Sequence, residues 1–182
     1  MTTPASASTG QPTGAPPPNT LDESGAGEPD VRWLVEEIED PELPHVTIGD
    51  LGIVRSVTVD GDRAVVVLTP TYTGCPATEQ IRDDVAAVAR DAGYEPDVTL
   101  AMSPAWTTDW ISERGHQRLR AAGIAPPPPA GEPGTVPVDL PVACPLCGSR
   151  RTRRISHFGG TACKASYMCD ACTEPFEFFK AL

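Results

Sequence analysis

Two Cys-x-x-Cys pairs, Cys144-Pro-Leu-Cys147 and Cys169-Asp-Ala-Cys172, stand 21 residues apart in a chain of 182. Two residues between thiols let a tight turn aim both sulfurs at one ion. Two such turns complete a tetrahedron at Zn–S distances of about 2.3 Å. The interval lies at the edge of the roughly 15–20 intervening residues usual for a zinc ribbon. Iron accepts four thiolates as readily as zinc does, so the metal itself is left open. Two disulfides in a secreted domain are the alternative, and a metal knuckle explains the spacing better. Cys163 is left over, six positions before Cys169 and unlike a knuckle partner. It reads as a spare thiol, with replacement of one of the four ligands or a part in cluster transfer as alternatives.

Cys75 stands alone in Thr69-Pro-Thr-Tyr-Thr-Gly-Cys-Pro-Ala-Thr-Glu79, between an apolar strand and a helix. Pro76 suits the first helical position, where its missing N–H is not needed. That places Cys75 at the N-cap, where free backbone N–H groups and the helix dipole favour a thiolate. With Gly74 and the hydroxyls of Thr71, Thr73 and Thr78, the loop is a candidate anion or metal cradle around a soft ligand. A half-buried structural cysteine is the plainer alternative. In the acidic segment Asp40-Pro-Glu-Leu-Pro-His-Val-Thr47, Asp40, Glu42 and His45 are candidate ligands or hydrogen-bond partners facing Cys75. Read plainly, they are a helix end and a surface loop. Trp106 and Trp110 supply apolar contact, Thr107 or Thr108 suits an N-cap, and His116 is expected to face solvent.

The elements that position these residues follow from periodicity. Val31, Leu34, Val35 and Ile38 share one helical face, and Asp40-Pro41 is expected to end that helix. Residues 53–59 and 63–69 read as two strands around the Asp60-Gly61 turn, the second apolar enough to be covered on both faces. Residues 77–92 form a helix capped by Gly93, 97–102 a third strand and 108–122 a last helix. The order α-β-β-α-β-α gives an α+β domain, with helices over a three- or four-stranded mixed sheet. The expected organisation is a disordered tail over 1–30, this domain over 31–125, a Pro-rich spacer over 126–139 and a ribbon over 140–182.

The formal charge of −11 is uneven: residues 31–125 carry −8 and residues 140–182 carry +3. An acidic main domain argues against a nucleic-acid-binding core. A nucleic-acid-binding ribbon, suggested by Arg150, Arg151, Arg153 and Arg154, is the least favoured reading. The chain has no signal-peptide pattern and no stretch approaching the roughly 20 apolar residues of a membrane span, so no membrane partner is expected. Thiols spaced for metal point to the reducing cytoplasm. No G-x-G-x-x-G follows a strand, and no helical Glu-x-x-His pairs build a di-iron site, so neither a reductase nor an oxygenase is read here.

Together, Asp40-Pro-Glu-Leu-Pro, Asp50-Leu-Gly-Ile-Val and the Cys75 loop resemble the SufT-like domain of iron–sulfur cluster assembly proteins. Ser103-Pro-Ala-Trp-Thr-Thr-Asp-Trp-Ile and Gly123-Ile-Ala-Pro-Pro narrow the resemblance. So do Cys144-Pro-Leu-Cys-Gly-Ser, Phe158-Gly-Gly-Thr-Ala-Cys-Lys-Ala and Glu174-Pro-Phe-Glu-Phe-Phe-Lys. Over residues 31–182 the combination is similar to the PaaD (PaaJ) family of the phenylacetyl-CoA 1,2-epoxidase system. The resemblance implies an accessory, non-catalytic subunit in aerobic phenylacetate degradation that assists iron–sulfur cluster or metal maturation of its partners. It implies zinc in the ribbon and a labile iron–sulfur cluster or iron contacted by Cys75, with Asp40 and Glu42 beside it. The implied partners are the other epoxidase subunits, the iron–sulfur reductase above all, and a homodimer is left open. The alternative is a docking subunit of the same complex with no part in metal transfer.

Overall fold

Asp60-Gly61 closes a hairpin between β3 (Val54–Asp60) and β4 (Arg63–Leu68), with Gly61 at φ +62°. To reach that hairpin the chain first forms α1 (Val31–Glu36), β1 (Glu39–Asp40) and β2 (Leu43–Thr47). The structure, a computed structural model, describes residues 30–128 and 142–180. The expected tail before residue 30 and the spacer from 129 onward lie outside the described residues.

From β4 the chain crosses through α2 (Ala77–Asp91) to β5 (Glu95–Leu100), which pairs parallel with β4 in the register Val66↔Val98. The sheet order is β3-β4-β5, with β3 and β4 antiparallel, so the mixed three-stranded sheet is as expected. Ala77, Ile81, Val85 and Ala89 of α2 are buried, as are Ala64, Val66 and Leu68 of β4. Val65 and Val67, on the opposite face of β4, remain half exposed. The sheet is therefore covered on one face only, and the apolar run at 65–68 overstates its burial.

Two expected helices are shorter than their patterns. Asp30 caps α1 by accepting the Arg32 N–H at 3.0 Å, but the helix stops at Glu36. Asp40, biased toward extended backbone by Pro41, instead belongs to β1, which pairs with β2 across the Pro41-Glu42 turn. The segment 108–122 splits into a 3-10 turn, Thr108–Trp110, and α3 (Glu113–Ala121). Ser112, rather than Thr107 or Thr108, caps α3 by accepting the Gly115 N–H at 2.9 Å. His116 is half-buried rather than solvent-facing, and burial lowers its pKa.

A buried carboxylate ties α3 to the turn after β2. Asp50 accepts from Arg114 Nε and Arg118 Nη1, each at 2.6 Å, and from the Ser112 hydroxyl at 3.2 Å. Asp50 and Thr47 also exchange backbone-to-side-chain hydrogen bonds. Gly115 is the position of closest approach, since a Cβ there would lie 2.7 Å from the Asp50 carbonyl oxygen. Burial pushes the Asp50 pKa up, but the hydrogen bonds from Arg114, Thr47 and Arg118 hold it below the usual carboxylate value.

After α3, β6 (Ile124–Ala125) leaves the first layer and pairs parallel with β9 (Pro175–Phe179). The second sheet runs β6-β9-β8-β7, with β7 (Thr152–Ser156) and β8 (Lys164–Cys169) antiparallel neighbours. Phe179 meets Trp106 edge-on with centroids 6.1 Å apart, and both belong to the core of the first layer. Trp106 is thus core, its indole N–H donating to the Leu51 carbonyl at 2.8 Å. Among the described residues no helix is long and apolar enough to cross a membrane.

Candidate functional site

Cys144 and Cys147 sit on a turn closed by Gly148 N–H to Cys144 O at 2.9 Å and Cys144 N–H to Ser149 O at 2.9 Å. Cys169 ends β8, and the Thr173 N–H returns to its carbonyl at 2.9 Å to form the matching turn before β9. The four sulfurs lie within 4.8 Å of one another. Cys144–Cys172 and Cys147–Cys169 are 3.8 and 3.6 Å apart. A tetrahedron with arms of about 2.3 Å has edges of about 3.8 Å, so the set fits one ion. Disulfides would need about 2.05 Å, and all four thiols are free, so that alternative fails. The Ala171 N–H points at Cys169 Sγ from 3.4 Å. Such backbone donors, that of Cys172 first, lower the Cys169 thiol to about 6, favouring the thiolate a metal needs. This is a metal-binding ribbon, and Cys163 has no part in it.

The loop before α2 carries Cys75, half-buried, with its carbonyl accepting the Thr78 N–H at 3.1 Å. The cap falls on Pro76, one residue later than the sequence suggests, and the helix starts at Ala77. Cys75, Thr71 and Thr78 line a small cavity of about 20 Å³ together with Asp40 and apolar neighbours. That volume admits one water-sized occupant. Asp40 is 8% exposed, and its carboxylate accepts the Glu42 N–H at 2.8 Å. Burial raises its pKa to about 6.

Glu42, two residues from Asp40, is where the second sheet arrives. Its Oε2 accepts from the Cys163 thiol at 3.7 Å, and Thr161 Oγ1 is 3.0 Å from the same sulfur. Cys163 is 3% exposed, and burial, reinforced by Glu42 and Asp40, pushes its thiol up to about 11. The Tyr72 hydroxyl is buried beside Cys75 and within the field of Glu42 and Cys163. Its pKa is pushed up, first by burial and then by Cys75. His45, by contrast, is exposed on β2 at φ +67° and pairs with Glu39, away from this group.

The fold thus places Asp40 and Cys75 on one cavity and Glu42 next to Asp40, and it adds Tyr72 and Cys163. For Cys163 the sequence offers a part in cluster transfer only as one alternative, and nothing in it points to Tyr72. For Cys163 the available signal was negative, a thiol left over after two complete pairs. Asp40 also carries a stability signature. A folded pKa near 6, above the unfolded value of about 3.9, means its contribution is present below about pH 4 and lost as pH rises through 6. Asp40→Asn keeps the acceptor for Glu42 and cannot ionise. In urea unfolding it should match wild type near pH 4 and exceed it by on the order of 2 kcal/mol at pH 7.5. A pH-independent difference would contradict this.

Residues 28–100 match the family model described as iron–sulfur cluster assembly protein, and residues 128–180 match that of the PaaD zinc beta ribbon domain. A putative 1,2-phenylacetyl-CoA epoxidase subunit of Escherichia coli (strain K12) is 47% identical over 150 residues, covering 82% of this chain and 90% of that protein. The crystal structure of a domain of unknown function, DUF59, from Bacillus anthracis is 33% identical, with a TM-score of 0.45, covering 49% of this chain and 87% of that one. Cys75, Asp40 and Glu42 lie in the first matched segment, and Cys163 and the four ribbon cysteines in the second.

Proposed function

Because this chain belongs to the PaaD family, that of the putative 1,2-phenylacetyl-CoA epoxidase component of Escherichia coli, we propose that it is an accessory subunit that assists iron–sulfur cluster or iron maturation of its partners. It is not the oxygenase itself. The observation that carries this reading is the ion-sized cavity shared by Cys75 and Asp40 within the segment matched to iron–sulfur assembly proteins. A thiol and a buried carboxylate offer a soft and a hard donor to iron in transit. Iron or a cluster is cargo here, distinct from the ribbon's own ion, for which zinc is the proposed occupant. The Glu42 N–H donates to Asp40, and Tyr72 lies beside Cys75. The clients are other subunits of the epoxidase, first the iron–sulfur reductase, in the cytoplasm.

A docking role without metal transfer has one observation in its favour: Ile155 and Phe158 are 52% and 66% exposed on the ribbon. The two readings separate on one variant. With Cys75→Ser, the partner's iron content and the epoxidase activity should fall by roughly tenfold or more, the range seen when metal-site residues are altered. About one equivalent of zinc should remain in the ribbon. Unchanged partner iron and activity would reject the transfer role and leave docking.

A further inference from the structure

Cys163 is the thiol that the ribbon does not use. The four ribbon cysteines close on one ion without it, and among the described residues they are the one group of donor atoms drawn within 4.8 Å of each other. Cys163 packs instead in the core of the first layer, apart from the apolar cluster that surrounds Cys144 and Cys169. A buried cysteine is often only a small hydrophobe. Its neighbours here argue otherwise, since its sulfur meets a carboxylate oxygen at 3.7 Å and a hydroxyl at 3.0 Å.

The backbone fixes this placement. The Lys180 N–H donates to Cys163 O at 2.9 Å, and the Gly160 N–H donates to Glu177 at 2.8 Å, so the loop of residues 158–163 is pinned to β9. Lys164 is spent on Glu177 at 2.8 Å and reaches only the carbonyl of Glu42, at 3.4 Å. Cys75 and Asp40 line one cavity, Asp40 accepts the Glu42 N–H and Glu42 meets Cys163, so the four share one neighbourhood, with the nearby Lys164 already paired. The buried Tyr72 hydroxyl lies beside Cys75 and within the field of Glu42 and Cys163.

We propose that Cys163 is the second thiol of the Cys75 site, and that Cys163, Glu42 and Cys75 form a thiolate–carboxylate set for a soft divalent ion such as ferrous iron, completed only when the ribbon sheet docks on the first layer. The mixed sulfur and oxygen donors suit iron, cobalt or zinc over magnesium or calcium. The set is open where the ribbon's is closed. Closing it requires movement of the Cys75 loop, where Gly74, at φ +85°, has backbone freedom that other residues lack. A closed site retains its ion, whereas an open one can release it. The inference rests on the reading of Cys75 as the group that contacts cargo.

The test uses the whole chain, purified without oxygen with its ribbon zinc in place, and cobalt(II) as the probe. Wild type should take up a second metal equivalent with a thiolate-to-cobalt charge-transfer band while releasing no zinc. Cys163→Ser and Cys75→Ser should each weaken that band's titration by roughly tenfold or more. Glu42→Gln, at a half-buried position that can keep its shape, should do the same with an unchanged melting temperature, which separates ligation from folding. Loss of the band in Cys75→Ser but wild-type titration in Cys163→Ser overturns this inference and leaves the proposed function standing. Loss in Cys163→Ser alone supports Cys163 as a ligand and overturns the reading of Cys75. No second equivalent in wild type overturns the site.

Discussion

Chelating the ion from Cys144, Cys147, Cys169 and Cys172 is expected to unfold the β7–β9 sheet while β3, β4 and β5 stay paired. Structural zinc contributes on the order of 10–16 kcal/mol in small zinc-binding peptides, comparable to or larger than the roughly 5–15 kcal/mol of a whole domain. The ribbon's own apolar cluster is small: Ala125, Cys144, Ala165, Tyr167, Cys169 and Phe176. Two of those six are ligands, so removing the ion also removes part of what it packs against. Hydrogen exchange should show residues 152–179 losing protection once release of the ion is complete, with residues 54–68 retaining most of theirs. Trp106 reports the same event by fluorescence, because Phe179 leaves its ring face. Full protection of residues 152–179 after proven loss of the metal would show that the sheet stands without it.

Asp50→Ala should cost about 3 kcal/mol of stability at neutral pH. Removing one partner of a buried ion pair costs about 3–5 kcal/mol. Arg114 and Arg118 keep partial exposure and retain Glu37, which places the loss at the lower end. The substitution also strips acceptors from the Thr47 N–H and the Ser112 hydroxyl, loosening the start of α3. The pH dependence has a definite sign. The folded pKa lies below the unfolded one, so the stabilisation is present above about pH 4 and is lost as pH falls through the folded value. Chemical unfolding of wild type and Asp50→Ala should therefore converge under strongly acidic conditions. A gap that persists there would mean that packing rather than charge dominates. Asp50→Asn, which keeps the shape and one acceptor, should fall between the two.

What could be read from the chain was local. Each Cys-x-x-Cys turn is complete within four residues, and the ribbon needed only two of them at a suitable separation. The β3–β4 hairpin announced itself through Asp60-Gly61, and the crossover through α2 followed from a clean helical period. The β1–β2 hairpin was missed because Pro41 and Pro44 read as loop residues, although a proline in a short edge strand costs no ladder bond. The Asp50 network had a local half, Arg114 and Arg118 four residues apart on one helical face. Its other half lies more than sixty positions earlier. Cys163 was the least legible. Its position depends on two residues, Ile124 and Ala125, pairing with β9, and on Trp106 meeting Phe179. No spacing within the ribbon reports a contact across 121 positions.

The two-residue strand Ile124–Ala125 has a consequence for timing. It waits, unpaired, for a partner strand some fifty positions further along the chain. During synthesis the Cys75 loop and its helix can fold while the segment that brings Cys163 is still inside the ribosome. Until β9 emerges and captures that waiting strand, Glu42 and Tyr72 face open water. A chain stalled or cut before that point cannot present both thiols together, so under the proposed two-thiol site unfinished copies would not compete for iron.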